Sequence, residues 1–270
     1  MNHKKFPEIY RLAHETDLFY LESFSTKETR PWGALFWNTD NPMYYDANHA
    51  DIFSPINEPE QAAVVEEVIA FYREKQLIPR FYLYDSERHQ SFIGLLMKKG
   101  FFFEELESPV QVWSGSFAHV PSNPELSIER VTDENYEAAM TVECSIQEFG
   151  GKEVREKAFA QEYRHPAFQH YLLRLKGTPV SIACTFTHGN DVRVESVATL
   201  GDYRGQGLIG HLLCHIQQEF AQSGGKTLWV YPINHLVEKV YQRYGFATLG
   251  VMKTGHAYAC GKGIKEIRGE

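Results

Sequence analysis

The sequence has 270 residues, of which 43% are apolar and 23% are charged, the composition of a globular protein. Its net charge of −8 argues against a nucleic-acid-binding surface that spans the molecule. No apolar run approaches the roughly 20 residues that cross a bilayer, and the first ten residues, "MNHKKFPEIY", lack the apolar region of a secretory signal. We therefore expect a cytoplasmic protein that binds neither nucleic acid nor membrane.

The four cysteines lie far apart in the sequence and form no C-x-x-C pair, so they predict neither a zinc site nor a redox motif. They are Cys144, Cys184, Cys214 and Cys260. We expect buried free thiols in a reducing compartment. No metal site is predicted.

Acidic residues are concentrated in the first half of the chain. Residues 1–122 carry a net charge of −7, whereas residues 123–270 carry −1 and can receive an anionic ligand. Between these halves, "FAHVPSNPEL" at 117–126 interrupts the periodic sequence with two prolines and small polar residues, which indicates a linker. We predict two domains of ordinary size, residues 1–120 and 121–270.

The first domain is predicted from apolar spacing and turn residues. In chain order the pattern predicts a helix over 6–24, an aromatic, turn-rich passage over 30–50, a helix over 58–77, a strand over 79–85, a helix over 89–100 and a strand over 107–115. After the turn-rich passage, the order is therefore helix, strand, helix, strand.

The second domain starts with a strand and a helix whose N-cap is Thr132 or Asp133. Residues 170–200 then contain three apolar runs separated by the turn sequences "KGTP" and "HGND", which predicts an antiparallel meander. The remaining predicted elements are a glycine-rich loop, a helix over 208–224, a strand over 226–232, a helix over 235–245 and final strands over 246–259.

The glycine-rich loop, "YRGQGLIGHLL" at 203–213, contains the G-x-G-x-x-G pattern of dinucleotide-binding folds. That fold needs the loop to end the first strand of a βαβ unit and an acidic residue in the next strand. Here the loop follows a predicted antiparallel meander late in the chain, and the next predicted strand contains no acid. The nearby "GGKT" lacks the first glycine of a Walker A loop. Glycines, a helix N-terminus and Arg204 still favour a phosphate site, with an ordinary turn and a solvated Arg204 as the alternative.

The run "VATLGDYRGQGLIG", Val197 to Gly210, resembles the acetyl-CoA-binding motif Q/R-x-x-G-x-G/A of the GCN5-related N-acetyltransferases (GNATs). Arg204 and Gly207 match that motif, while Ile209 stands where a small residue is expected, and Gly205 completes the dinucleotide pattern by coincidence. The resemblance implies that cofactor-binding residues are Val197, Ala198, Thr199, Arg204, Gly205, Gln206, Gly207, Leu208, Ile209, Gly210 and Asn234.

A second match to the same family lies about 30 residues further on, where Asn234, Tyr241 and the "GF" dipeptide at 245–246 have the family spacing. The resemblance covers residues 125–265 and implies a mixed α/β fold, with a largely antiparallel sheet flanked by helices. The first domain repeats the strand, helix, "KGF", strand ending without an Arg-Gly loop. It resembles a degenerate copy, which implies two domains in tandem.

The resemblance also implies roles in catalysis. The strand around 195–199 would splay from its neighbour and offer the backbone of Val197 and Thr199 to the pantetheine arm. Glu195 is the candidate base that deprotonates the amine, or else it is solvated or pairs with Arg193. Tyr241 is the candidate donor to the departing thiolate, or else it packs on the sheet.

These roles predict an enzyme that transfers acetyl from acetyl-CoA to a primary amine of a small molecule or peptide, by direct attack in a ternary complex. The alternatives are a noncatalytic acyl-CoA-binding or regulatory protein, and a structural protein. Residues 145–151, "SIQEFGG", are a candidate acceptor loop. The acidic and aromatic residues Trp32, Trp37, Tyr44, Tyr45, Asp46 and Asp51 form either a wall for a cationic amine or a domain core. Oligomeric state is not predicted.

Overall fold

The computed structural model of the chain describes residues 8–146 and 150–269. The chain divides into two compact units. The N unit comprises Asp17–Ser108 and Met252–Glu270, and the C unit comprises Met1–Thr16 and Pro109–Val251. Each unit thus consists of two separate stretches of the sequence, and a division at residues 120/121 remains a prediction.

The N unit is built around a meander followed by a parallel strand. The elements of this part of the chain are α1 (Glu8–Glu22), β1 (Thr26–Arg30), β2 (Gly33–Trp37), β3 (His49–Ile52), α2 (Glu58–Glu74), β4 (Arg80–Tyr84), α3 (Gln90–Lys98) and β5 (Phe102–Trp113). Strands β1, β2 and β3 are antiparallel neighbours, and β4 runs parallel to β3.

The passage over 30–50, predicted only as turn-rich, contains strand structure. Strand β2 is almost fully buried, and β3 is buried along its whole length. A Cβ on Gly33 would lie 1.9 Å from the carbonyl oxygen of Asp51, so this glycine permits the close approach of β2 to β3. Prolines, glycines and asparagines at the turns conceal these two short strands in the sequence.

The C unit contains a larger mixed sheet with helices on both faces. The elements of this part of the chain are β6 (Leu126–Arg130), α4 (Tyr136–Cys144), α5 (Lys152–Arg164), β7 (Phe168–Leu175), β8 (Thr178–His188), β9 (Asp191–Thr199), α6 (Leu208–Ser223), β10 (Thr227–Val230), α7 (His235–Arg243) and β11 (Phe246–Tyr258). Of β11, only the residues up to Val251 belong to the C unit. Strands β6 to β9 are antiparallel in sequence order, β10 is parallel to β9, and β5 is antiparallel to β10. The predicted fold class and meander are confirmed.

Three details of the C unit differ from the prediction. The helix predicted from residue 132 ends at Cys144, a second helix follows at Lys152–Arg164, and the final strands are one long strand. The helix α5 has many charged residues and few apolar ones, so its sequence shows a weak helical period. A short helix at Ile264–Arg268, α8, ends the described chain.

Alternating side chains of the meander serve two cores. Tyr171 and Leu173 pack with the apolar residues of α6 and α7, whereas Leu172 packs with those of α4 and α5. On β9, Val194 belongs to the first core and Ala198 to the second. Val194 and Ala198 are four positions apart, so their side chains would lie on the same face of a regular strand. They belong to different cores, so β9 must contain an irregularity between them.

Candidate functional site

That irregularity is a β-bulge. Ile182 pairs with Ala198 and Cys184 pairs with Glu195, so three steps on β9 face two steps on β8. Ser196 lies inside the bulge with φ of +46°, which is uncommon for a residue other than glycine. The side chains that follow the bulge therefore lie on the opposite face of the sheet from the one that regular alternation would give them.

Strand β9 also loses its parallel neighbour at the bulge. The pairing of β9 with β10 ends at Val194 and Val230, and within the described residues no further pair of these strands follows. The backbone from Glu195 to Thr199 is therefore not paired with β10, and we call this unpaired side the opening beside β9. The family resemblance predicts a splay of the strand at this point.

The glycine-rich loop connects that opening to α6. Gly205 and Gly207 have φ of +78° and +76°, in the left-handed region that favours glycine. A Cβ on either residue would meet no heavy atom within 4 Å, so the space before the loop is open. Gly205 therefore has a backbone role in this loop, in addition to its place in the dinucleotide pattern.

The first turn of α6 has the character of an anion site. It carries no acidic residue, and Gly207 is the N-cap. The N–H of Gly210 donates to the carbonyl of Gly207 at 2.9 Å, while the N–H groups of Leu208 and Ile209 have no hydrogen-bond partner among the described residues. Free N–H groups at the positive end of a helix dipole attract anions.

Gly210 faces a side chain within the C unit. A Cβ on Gly210 would lie 2.3 Å from Oη of Tyr244, so the absence of a side chain makes room for that ring. Leu208 is buried, and Ile209 packs against the same core. The side chains of 208–210 thus serve packing, and any ligand would meet their backbone.

Arg204 and Asn234 have local hydrogen bonds. Nε of Arg204 donates to the carbonyl of Thr199 at 3.0 Å, which ties an exposed cation to the end of β9. Oδ1 of Asn234 accepts the N–H of Val237 at 3.0 Å and caps α7. Nε2 of Gln206 donates to the carbonyl of Asp202 at 3.4 Å.

Tyr241 and Glu195 are close enough to interact electrostatically. Burial raises the pKa of Tyr241, and the charge of Glu195 raises it further. The ring of Tyr241 packs edge-on against Phe246, with 5.5 Å between centroids. Tyr241 is therefore a packing residue whose hydroxyl keeps its proton at neutral pH.

Glu195 forms an ion pair with Nε of Arg193. This arginine is only 2% exposed, and its guanidinium lies over the ring of Trp229 at 5.3 Å from the centroid. The pairing that the sequence left open is thus present. A neighbouring cation favours the charged form of a carboxylate.

A buried ion network, which the sequence analysis missed, joins α4, α5 and β7. Arg155 contacts both Glu143 and Glu162, and all three side chains are at most 4% exposed. Nε2 of His170 lies 3.7 Å from Glu162. Burial alone would raise the pKa of Glu162, but Arg155 and His170 outweigh it and lower the pKa to about 2. The signal for this network in the sequence is the spacing of Arg155 and Glu162, which lie seven residues apart on one face of α5.

The other candidate substrate-binding residues lie partly outside the described residues or are largely buried. Of the proposed acceptor loop, residues 147–149 lie outside the described residues. The proposed acidic and aromatic wall lies largely in the N-unit interior, since Trp32, Tyr44, Tyr45 and Asp51 are buried. Burial raises the pKa of Asp51 well above its usual range, and Asp17 adds to that effect.

All four cysteines are free thiols, but only two fit the prediction of burial. Cys144 and Cys184 are buried, Cys214 is half-buried and Cys260 is exposed. Among the described residues, no helix is both long and apolar enough to cross a membrane.

The part of the chain that contains the site is similar to a known family. Residues 135–246 match the family described as "Acetyltransferase (GNAT) family". This stretch of the chain is therefore similar to the GNAT acetyltransferase family, and the match supports acyl transfer in general. No curated protein matches the sequence.

Solved structures show the same fold along most of the chain. A GCN5-related N-acetyltransferase from Kribbella flavida is 20% identical, with a TM-score of 0.70, and the alignment covers 94% of this chain and 96% of that one. A functionally unknown conserved protein from Staphylococcus epidermidis is 12% identical, with a TM-score of 0.68, over 87% and 94% of the two chains. A GCN5-related N-acetyltransferase-like protein from Streptococcus suis is 14% identical, with a TM-score of 0.54, over 92% and 98%.

Proposed function

We propose that the C unit binds acetyl-CoA and transfers its acetyl group to a primary amine of a small molecule or peptide in a ternary complex. The observation that carries this proposal is the continuity of the opening beside β9 with the glycine-rich loop. One stretch of chain, residues 195–209, offers strand backbone at one end and free helix N–H groups at the other. The family match of residues 135–246 supports the same chemistry.

The residues present fit a long ligand with an anionic middle. The N–H groups of Leu208 and Ile209, with the guanidinium of Arg204, would hold the pyrophosphate. The backbone of Val197 and Thr199 would pair with the amides of the pantetheine arm as a neighbouring strand does. Ala198 is buried and Asn234 caps α7, so they would act by shaping the opening. Acetyl-CoA would supply the thioester that serves as the acyl donor.

Two side chains would move protons. An amine is protonated at neutral pH, and the carboxylate of Glu195 would accept its proton directly or through a water molecule. Arg193 would hold that carboxylate in position. Tyr241, whose hydroxyl stays protonated, would donate to the departing thiolate.

We further propose that the N unit is a degenerate copy that lacks a cofactor site, in tandem domains of residues 1–120 and 121–270. Its order of meander, helix, parallel strand, helix and strand repeats that of the C unit from β7 onwards. The first turn of α2 carries Glu58 and Glu60, whereas that of α6 carries no acid. Carboxylates at a helix N-terminus repel a phosphate.

We propose that the protein is located in the cytoplasm. The exposed free thiol of Cys260 supports it, because an exposed thiol persists best in a reducing compartment.

A thiol-release screen tests the proposed activity. Purified protein is mixed with acetyl-CoA and with polyamines, aminoglycosides, amino acids or peptides with free N-termini, and free CoA thiol is measured. We expect release with at least one amine, and strongly reduced turnover in Glu195→Gln and Tyr241→Phe at nearly unchanged acetyl-CoA affinity. Binding of acetyl-CoA without release for any amine would instead favour the noncatalytic acyl-CoA-binding protein.

A further inference from the structure

One face of the N-unit sheet carries buried polar side chains. Ala50 and Ile52 of β3 pack with the apolar residues of α2 and α3. His49 and Asp51 occupy the alternate positions of β3, so their side chains lie on the opposite face of the sheet. They are only 1% and 0% exposed. The interior of the N unit therefore contains ionisable groups in addition to its apolar core.

Three atoms of these two side chains lack a hydrogen bond. Both carboxyl oxygens of Asp51 and Nδ1 of His49 have no partner among the described residues. Burial, followed by the proximity of His256, lowers the pKa of His49 to about 3, so its ring is neutral. The ring hydrogen-bonds to the backbone at Tyr45 and Asp46, which leaves the lone pair of Nδ1 as an acceptor. Buried polar groups without partners are rare, and three on one face favour a site for a ligand that supplies donors.

The neighbours of Asp51 suit a small cationic ligand. On the adjoining strands, Ala34 and Tyr82 lie beside Asp51 in the register of the sheet. The small side chain of Ala34 takes up little room beside the carboxyl group. The ring of Tyr82 lies 4.1 Å and that of Phe36 5.6 Å from the ring of His49, measured between centroids. Aromatic rings attract a cation, while a carboxylate and a neutral imidazole accept its N–H groups.

The charges around Asp51 also favour a cation. Burial raises the pKa of Asp51 well above its usual range, and the negative charge of Asp17 raises it further. Lys27 has the opposite but smaller effect, and its ammonium group pairs with Glu22 at 2.5 Å. Asp17 is half-buried and accepts a hydrogen bond from Tyr84 at 3.1 Å, so a partly exposed carboxylate lies near the buried one. A cation at Asp51 would therefore be attracted by two carboxyl groups.

The two units differ at the matching place in their sheets. Each unit has one pair of parallel strands that follows its meander, β3 with β4 and β9 with β10. In the last residue pair but one, Asp51 lies beside Tyr82, whereas Arg193 lies beside Trp229. The C unit therefore has a cation of its own over that ring, at 5.3 Å from the centroid. The N unit has a ring and a carboxyl group there, and a ligand would supply the cation.

We propose that the N unit binds a small primary ammonium compound, which donates its N–H groups to the carboxylate of Asp51 and to Nδ1 of His49. The ring of Tyr82 would lie against the bound charge. Because no residue of the C unit belongs to this site, the inference goes beyond the proposed acetyl transfer and does not depend on it. The N unit would then be a ligand-binding domain that lacks a phosphate site.

Thermal unfolding of the full-length protein tests the inference. The probes are methylammonium, ethylammonium and 1,4-diaminobutane, each compared with sodium chloride at equal ionic strength. Tetramethylammonium is the control probe, because it has the charge but no N–H donor. A ligand that binds only the folded state raises the unfolding midpoint in a concentration-dependent way. We expect this rise with at least one primary ammonium probe and none with tetramethylammonium.

Substitutions locate the site. In Asp51→Asn, the amide keeps the size of the carboxyl group without its charge. The dissociation constant should increase about tenfold or more, the effect of losing a hydrogen bond to a charged group. His49→Phe keeps an aromatic ring without Nδ1 and should also weaken binding. Asp40→Asn is the matched control and should bind as the wild type does, because Asp40 is an exposed carboxylate of the same unit.

Nitrogen NMR of the histidine-labelled wild type gives a local readout, which decides the matter if Asp51→Asn does not fold. Methylammonium should shift the Nδ1 resonance of His49, because this nitrogen gains a donor. The resonances of His165, which is exposed in the C unit, should not move. An unchanged His49 resonance at saturating methylammonium would overturn the inference.

The remaining outcomes are equally decisive. The inference is wrong if no primary ammonium probe stabilises the wild type, if tetramethylammonium stabilises it equally, or if Asp51→Asn is stabilised as much as the wild type. It is also wrong if the stabilisation is lost in Glu195→Gln and kept in Asp51→Asn, since the amine then binds at the C unit. Absence of acetyl-CoA binding, by contrast, would contradict only the proposed function.

Discussion

Replacing Arg155 by methionine should destabilise the C unit strongly. Arg155 is the cation between Glu143 and Glu162, whose side chains are 0% and 1% exposed. Methionine keeps much of the length of the side chain but leaves both carboxylates buried without their partner. Breaking a buried pair in this way costs about 3–5 kcal/mol.

The pH dependence of this loss follows from the pKa values. In the wild type, the pKa of Glu162 is lowered to about 2, so its stabilisation is complete above the unfolded pKa and is lost as pH falls towards 2. In Arg155→Met, burial without the cation should raise the pKa of both carboxyl groups above the unfolded value. The variant therefore regains stability as pH falls through those raised values, and its deficit should be larger at pH 7 than at pH 5.

Urea unfolding at both pH values measures the deficit. The control is Arg130→Met, which removes an exposed pair with Glu219 and should cost only about 0–1 kcal/mol at either pH. A deficit below 1 kcal/mol for Arg155→Met, or one that is the same at pH 7 and pH 5, would refute the reasoning.

Two further predictions concern the loop. Gly207→Ala should weaken acetyl-CoA binding and lower the free energy of unfolding by about 1 kcal/mol, because its left-handed φ strains any other residue. Thermal unfolding and calorimetry measure both effects, with Gly94→Ala, in the open middle of α3, as the control that should not destabilise. Gly210→Ala should be tolerated better in a Tyr244→Leu background than alone, because the leucine removes the clash with the new methyl group. A double-mutant cycle measures this coupling, and additive effects of the two substitutions would contradict the packing role of Gly210.

The parts of the site that could be predicted from the sequence depend on local signals. The turns "KGTP" and "HGND" and the apolar runs beside them predict the meander. Arg204 and Gly207 lie within one short loop, so their spacing in the sequence is also their arrangement in space. The start of α6 can be predicted from the sequence for the same reason, because its signals lie in that short loop.

The remaining features depend on residues far apart in the chain. The bulge at Ser196 exists because of its register with β8, and nothing in "VESVAT" itself marks it. The packing of Gly210 against Tyr244 cannot be predicted from the sequence, because Tyr244 lies 34 positions away. The network of Arg155 joins two helices and a strand, and its charges look like a solvated face in the sequence.

The most direct test of the account is a calorimetric titration of the wild-type protein and Arg204→Ala with acetyl-CoA, with Arg130→Ala as the control. We predict one binding site in the wild type and in Arg130→Ala, and a markedly weaker one in Arg204→Ala, since the loop loses its charge-assisted contact with the phosphate. Absence of binding in the wild type, or equal affinity in all three proteins, would contradict the assignment of this loop as the acetyl-CoA site.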